Sequence, residues 1–422
     1  MSIKPITPTY SNIAFKAGKT TVFADFDKTY TPFSHNDMCQ KDVFVNDQNK
    51  RNYFNNYFSN FKNLKDTAKD KFFLTITTGR NAAEYIFVEN ALKEQNLDYF
   101  SPDYLVTRDG ADKFVKENGR WLKEDNKDKN IQEKAYGWNA QKIKSDLKKI
   151  ISQNTKNAFV IEAPINRTKW DYPGISMQDE LEKSNPYNIE NYVSFSKDEN
   201  DIIEIAFANK LPVDKLKQLI NRYLSNNEID SVLNHYPKDN NAYFPQYDNG
   251  VVRYEPGNRM IIKPKVDNTP LTKLYDVKEA VKDVVVNDTN DFIIAAGDEI
   301  NDEEMLNPLN YIDILGINID KSKPINEILE NGNVLDAIYK LPLKIIIVGS
   351  SPNLEHLREM DRILKSKGID KITCINSPDD SQNGLANAIK RAMYKYSEQN
   401  DEYSYYMGMD LFKYLLETTN IY

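Results

Sequence analysis

The chain predicts a parallel α/β sheet with an inserted α+β domain, and three apolar runs with their endings predict it. Thr21-Val-Phe-Ala24 runs into Asp25, Phe72-Phe-Leu-Thr-Ile-Thr77 into Thr78-Gly79-Arg80, and Asp291-Phe-Ile-Ile-Ala-Ala296 into Gly297-Asp298. Short, near-continuous apolar runs read as strands buried on both faces, as in parallel sheets, whose ligands bind beyond the carboxyl ends of the strands. Three polar endings at that edge mark it as the place to look for chemistry.

The remaining elements follow in order. Residues 81–93 have helical periodicity through Ala82, Tyr85, Ile86, Val88, Ala91 and Leu92, making a β-turn-α unit with the second run. From there to about residue 262 the texture changes. All three tryptophans fall in this stretch (Trp121, Trp138, Trp170), with strand-like pieces at 104–107, 158–162 and 202–207 and helical patterns at 143–151 and 213–224. This suits an inserted domain over 81–262, with 1–80 and 263–422 as one discontinuous core. Residues 123–134 and 179–191 are charged and poor in apolar side chains, and read as exposed loops. After Met305-Leu306 the core resumes with strand candidates at 311–319, 344–348 and 371–375 and a helix near 354–367. A tyrosine-rich tail suggests a terminal helix around Leu411–Leu416.

Composition narrows the function. With 422 residues there is volume for two or three domains, and a net charge of −8 argues against coating a polyanion such as nucleic acid. No apolar run approaches the roughly 18 residues a membrane helix needs. Two cysteines, Cys39 and Cys374, exclude a disulfide scaffold and a four-thiolate metal site. With no secretory signal in the first twenty residues, a cytoplasmic enzyme acting on a small molecule is the expectation.

The chemistry sits at the strand ends. Two carboxylates as close as Asp25 and Asp27, in Asp25-x-Asp27-x-Thr29, do not both ionise cheaply; either one keeps a proton and acts as an acid, or a metal compensates the charge. Gly297-Asp298-x-x-Asn301-Asp302 supplies further carboxylates, and acidic residues here also suit a helix amino-terminal cap. Hard oxygen donors without His or Cys fit Mg²⁺ better than zinc. Thr78-Gly79-Arg80, at a strand-to-helix turn, suits a phosphate oxygen or is an ordinary turn with a capping threonine.

Taken together and in this order, Asp25-Phe-Asp27-Lys-Thr29, Thr78-Gly-Arg80 and Gly297-Asp298-Glu-Ile-Asn301-Asp302 resemble the haloacid dehalogenase (HAD) superfamily. The long insert resembles the C2 type of cap of its sucrose-phosphate-phosphatase-like and Cof-like branch. Asp103-Tyr-Leu-Val-Thr-Arg-Asp-Gly-Ala111 is similar to the stretch that opens that cap, with Asp109 in place of Asn, and Arg259-Met-Ile-Ile-Lys-Pro264 to the strand that returns from it. The resemblance implies a Rossmann-like core. It also implies Asp25 as the nucleophile forming an aspartyl phosphate, Asp27 as general acid and base, and Thr78 on the phosphoryl group. Asp25, Asp298 and the main chain of Asp27 would bind Mg²⁺, with Thr29, Asn301 and Asp302 in support. Gly79, Arg80, Arg108 and Asp109 are candidate substrate contacts.

The family's third-motif lysine is displaced in this chain. Lys273 is our choice, since Thr269-Pro270 marks a helix start and places it in the opening turn; Lys278 is the alternative. The implied activity is a Mg²⁺-dependent phosphomonoesterase for a small phosphorylated metabolite, of the sugar phosphate kind. A phosphotransferase or mutase on the same site, or a catalytically reduced regulatory protein, are the other readings.

Overall fold

The computed structural model describes residues 18–33, 38, 44, 46–80, 82–124, 131, 133–155, 159–163, 192–196, 202–208, 211–248, 251–380 and 384–399. Trp170, Cys39, the loop expected at 179–191 and the tyrosine-rich tail with its expected helix lie outside these residues. In chain order come β1 (Thr20–Ala24), α1 (Gln48–Ala68), β2 (Phe72–Thr77), α2 (Ala82–Glu94), β3 (Tyr104–Thr107), β4 (Asp112–Glu117) and β5 (Arg120–Lys123). Then follow α3 (Ala140–Asn154), β6 (Phe159–Ala163), β7 (Tyr192–Ser196), β8 (Ile203–Phe207), α4 (Val213–Asn226), β9 (Ser231–Asp248), β10 (Val251–Val266) and β11 (Thr269–Pro270). The chain closes with α5 (Lys273–Val286), β12 (Phe292–Gly297), α6 (Gly332–Lys340), β13 (Leu343–Val348), α7 (Glu355–Ser366), β14 (Ile372–Ile375) and α8 (Leu385–Gln399).

The described residues divide into two units, the first holding those up to Val106, Phe114–Trp121 and those from Asp276 onward, the second Thr107–Lys113 and Leu122–Tyr275. The boundaries expected at 80/81 and 262/263 therefore move. Helix α2 and strand β3 belong to the first unit because β3 pairs in parallel with β2, Thr75 opposite Tyr104 and Thr77 opposite Val106. The chain leaves the second unit only within α5.

In the first unit β14, β13, β12, β1, β2 and β3 lie side by side in that order, each adjoining pair parallel, and the sheet continues into β4 and β5. Strands β12 and β13 are buried along their whole length, as their uninterrupted apolar sequence requires. Helix α1 packs an apolar stripe, Phe54, Tyr57, Phe58, Phe61 and Leu64, into this core. Asp47 caps its start, accepting from the amides of Asn49 and Lys50. The same stripe grips the loop after β1. Tyr30 is fully buried, edge-on to Phe61 at 5.0 Å, and the Tyr57 hydroxyl donates to its carbonyl at 2.8 Å.

The second unit is an α+β domain. Its sheet runs β11-β10-β8-β7-β6, with β9 on β10 as a long antiparallel hairpin. Helices α3 and α4 contribute Ile143, Leu147, Ile151, Leu216 and Ile220 to a core with Phe195, Ile205 and Met260. The strand expected at 311–319 is not formed: Ile312–Leu315 is a 3₁₀ turn that ends at Gly316, whose φ of 76° stops the chain in the left-handed region.

At the amino end of β14, Lys371 donates to the Leu341 carbonyl, and burial, reinforced by Lys344, pushes its ammonium down to about 8 against the pull of Asp370. Its folded value lies below the unfolded one, so the unfolded chain binds the extra proton and the penalty is full below pH 8, fading as pH rises toward 10.5. Lys371→Met is therefore expected to stabilise the fold by roughly 1 to 2 kcal/mol at pH 7, and by less at pH 9.5. Thermal melts at the two pH values check this; a variant that melts lower at pH 7 refutes it.

Candidate active site

Register alone aligns the strand ends. Ala24 of β1 lies opposite Ala296 of β12 and Ile76 of β2, so Asp25 emerges beside Gly297 on one side and Thr77 on the other. The Asp25 amide donates to the Ala296 carbonyl at 3.0 Å, fastening the β1 exit to β12. The chain then doubles back, with the amides of Tyr30 and Thr31 donating to the carbonyls of Asp25 and Phe26 and Lys28 in the left-handed region at φ 58°. This tight loop keeps Asp25, Asp27 and Thr29 at one strand end.

Across the β1–β12 boundary, carboxylate oxygens of Asp25, Asp298 and Asp302 lie within 4.8 Å of one another. Asp298 and Asp302 are buried, 8% and 1% exposed. The Thr29 hydroxyl donates to Asp298 at 2.8 Å. Asp302 Oδ2 accepts from the amides of Asp298 (3.0 Å) and Glu299 (3.2 Å), so the capping reading of this acidic run also holds, for Asp302. Gly297 is required for that clamp: a Cβ there would stand 2.6 Å from the Asp302 side chain. Burial pushes the Asp298 carboxyl up to about 7, with Asp302 and Glu299 adding to the rise and the Thr29 hydroxyl and Lys28 opposing it. A cluster made wholly of hard oxygen donors, with one member forced so far up by burial and like charge, fits a divalent cation such as Mg²⁺.

Of the expected metal set, Asp25 and Asp298 stand in this cluster, and the expectation for Asp27 concerns its main chain, not its carboxylate. Asp302 joins Asp25 and Asp298, while the Asp27 carboxylate accepts from Arg80 Nε at 2.9 Å. Arg80, expected on the substrate, is held to Asp27 because the turn after β2 faces the loop after β1 between neighbouring parallel strands. The Thr78 amide donates to the Val106 carbonyl at 2.9 Å. The Thr78 hydroxyl accepts from the Arg80 amide at 3.2 Å and keeps its own hydrogen to donate. Gly79 lies in that turn and Asn301 is exposed beside Asp302. Lys28 pairs with Glu299 at 3.2 Å, a bridge between the two acidic loops that no sequence pattern marked.

The other candidates are described within their own units. In the second, Arg108 donates to Asp112 at 2.5 Å, and Asp109 accepts from the buried Lys263 at 3.1 Å. Both carboxylate–cation pairs brace the turn at Gly110, where φ is 102° and any Cβ would meet the Thr272 carbonyl at 2.4 Å. Arg108 and Asp109, the expected leaving-group contacts, are engaged in these two pairs. Lys273 opens α5 and is 5% exposed. In the first unit Lys278 is held by Asp313 at 2.6 Å.

Neither a family model nor a curated protein matches this chain. Among solved structures it is similar to the sucrose-phosphatase of Synechocystis sp. PCC6803 in complex with sucrose and phosphate, at 12% identity over 90% of this chain and 98% of that one, with a TM-score of 0.39. It is also similar to a haloacid dehalogenase-like hydrolase of Bacillus subtilis, at 14% identity over 69% and 82% of the two chains, TM-score 0.35. A third is the IMP-nucleotidase of Plasmodium falciparum, at 10% identity over 68% and 60%, TM-score 0.32. Likenesses this shallow carry no functional weight. The strand-end carboxylates carry it instead.

Proposed function

We propose that the chain is a Mg²⁺-dependent phosphomonoesterase of the haloacid dehalogenase type, acting on a small phosphorylated metabolite of the sugar phosphate class. The observation that carries this reading is the buried carboxylate cluster of Asp25, Asp298 and Asp302 at adjoining strand ends, with Asp27 two residues beyond Asp25. Asp25 and Asp298, with the Asp27 main chain, would hold Mg²⁺, which when bound supplies positive charge against the phosphoryl oxygens.

The chain's own groups divide the work. A carboxylate oxygen of Asp25 attacks phosphorus as the bond to the leaving oxygen breaks, and Asp27 gives that oxygen its proton. Asp27 then takes a proton from water; the water oxygen attacks phosphorus, the Asp25–phosphorus bond breaks, and the carboxylate is restored. Arg80 fixes the direction of the Asp27 carboxylate through both half-reactions. The Thr78 hydroxyl hydrogen is placed to donate to a phosphoryl oxygen. Thr29 and Asp302 hold Asp298 and its loop in place. Lys273 is our choice for the cation that offsets the charge of the aspartyl phosphate.

Removing the metal tests the reading. After dialysis against EDTA, release of phosphate from p-nitrophenyl phosphate is expected to cease and to return with Mg²⁺. Mg²⁺ alone is expected to raise the melting temperature, because a cation relieves the repulsion within the cluster. Full turnover in excess EDTA would sink the proposal.

A further inference from the structure

In the first unit the open space beside the carboxylate cluster extends along the carboxyl ends of β12, β13 and β14. It forms a crevice of about 520 Å³ lined by Asp298, Glu299, Lys28, Ser350, Asn353 and Asn376. It adjoins a second, of about 300 Å³, which shares Lys28, Ser377 and Pro378 and is walled by Phe33 and Tyr53. Both volumes fall within the range of small-molecule sites. Gly349 turns the chain away at the end of β13 with φ 73°, and a Cβ there would meet nothing within 4 Å.

The lining selects a chemistry. The Ser377 hydroxyl already donates to Asp379, while the Ser350 hydroxyl and the Asn353 and Asn376 amides are groups that both donate and accept, as the hydroxyls of a polyol require. The cation that lines both crevices, Lys28, is paired with Glu299, while Asp298, Glu299 and Asp379 make the surroundings acidic. A second phosphate would meet repulsion there. At the far end Phe33 and Tyr53 stand edge to face, 5.6 Å apart, offering apolar ring surface of the sort that covers the C–H face of a sugar.

We propose that these adjoining crevices bind the unphosphorylated, polyhydroxylated end of the substrate, so that the β13 and β14 strand ends select among phosphomonoesters. This rests on the phosphatase reading and deepens it by assigning the leaving group a place on the first unit itself. Asn376 and Asn353 are exposed, on separate loops, so either can be enlarged without disturbing the core.

The test separates the two proposals. Binding of unphosphorylated glucose, fructose and maltose to the full chain is read by saturation-transfer NMR, and kcat/KM for glucose 6-phosphate is taken relative to p-nitrophenyl phosphate. The parent chain is expected to bind at least one of the sugars. Asn376→Trp, and independently Asn353→Trp, are expected to weaken that binding about tenfold or more and to lower the kcat/KM ratio by a similar factor, chiefly through KM. No sugar binding by the parent chain, or binding and ratio both unmoved in the two variants, overturns the crevice as a sugar site even if p-nitrophenyl phosphate is hydrolysed. Sugar binding that both tryptophans abolish, in a chain that hydrolyses no phosphomonoester, upholds the crevice and overturns the phosphatase reading instead.

Discussion

Asp25→Asn is expected to leave a folded chain that no longer releases phosphate from p-nitrophenyl phosphate, with kcat/KM reduced by about 10⁴-fold or more. The size of the loss follows from what the carboxylate does. An amide of the same shape has no anionic oxygen to give to phosphorus, so the covalent route closes. The fold is expected to persist for a reason visible in the site. Asp25 is anchored through its main-chain amide to Ala296, which the substitution keeps. Its carboxylate stands within 4.8 Å of those of Asp298 and Asp302, so removing one negative charge relieves repulsion. In the absence of metal the variant should therefore melt no lower than the parent, and the rise in melting temperature on adding Mg²⁺ should shrink. Parental turnover in Asp25→Asn would remove the assigned nucleophile. A collapse of the fold would instead make Asp25 a structural residue.

The strand ends were legible from sequence because a parallel strand buried on both faces is an uninterrupted apolar run, and its termination by Asp, Thr or Gly needs no knowledge of neighbours. Pairing was not legible. That Asp25 sits beside Gly297 depends on the register of two strands some 270 residues apart in the chain, and the Arg80–Asp27 and Lys28–Glu299 pairs depend on the same non-local geometry. The domain boundary failed for a related reason. The sequence from 82 to 106 reads as a helix and a strand in either unit, and only the pairing of β3 with β2 assigns it. Helix α1 was missed although Phe54, Tyr57, Phe58, Phe61 and Leu64 recur at helical spacing with Asn and Lys on the opposite face, the pattern of an amphipathic helix. The strand misread at 311–319 shows the opposite error. Tyr311 and Ile312 are buried as a strand would bury them, but they cap and open a 3₁₀ turn whose end is set by Gly316.

Lys273→Ala is expected to lower kcat by several hundred-fold, since one preorganised charge in a water-poor site is worth about 3 to 4 kcal/mol, or roughly 10² to 10³ in rate. Lys278→Ala is expected to change turnover little. The two lysines share α5 but lie five residues apart, so they point in different directions. Lys273 is 5% exposed in the first position of the helix, and Lys278 is engaged by Asp313 at 2.6 Å. Breaking the Lys278 pair removes one ion pair whose Asp313 partner is half exposed, worth at most about 1 kcal/mol of stability. Turnover of both variants under saturating Mg²⁺ and p-nitrophenyl phosphate decides the assignment. An unaffected Lys273→Ala beside a crippled Lys278→Ala would move the role to Lys278, and the Asp313 pair would then be the device that positions it. Two unaffected variants would mean that the charge on the aspartyl phosphate is met without a lysine from α5.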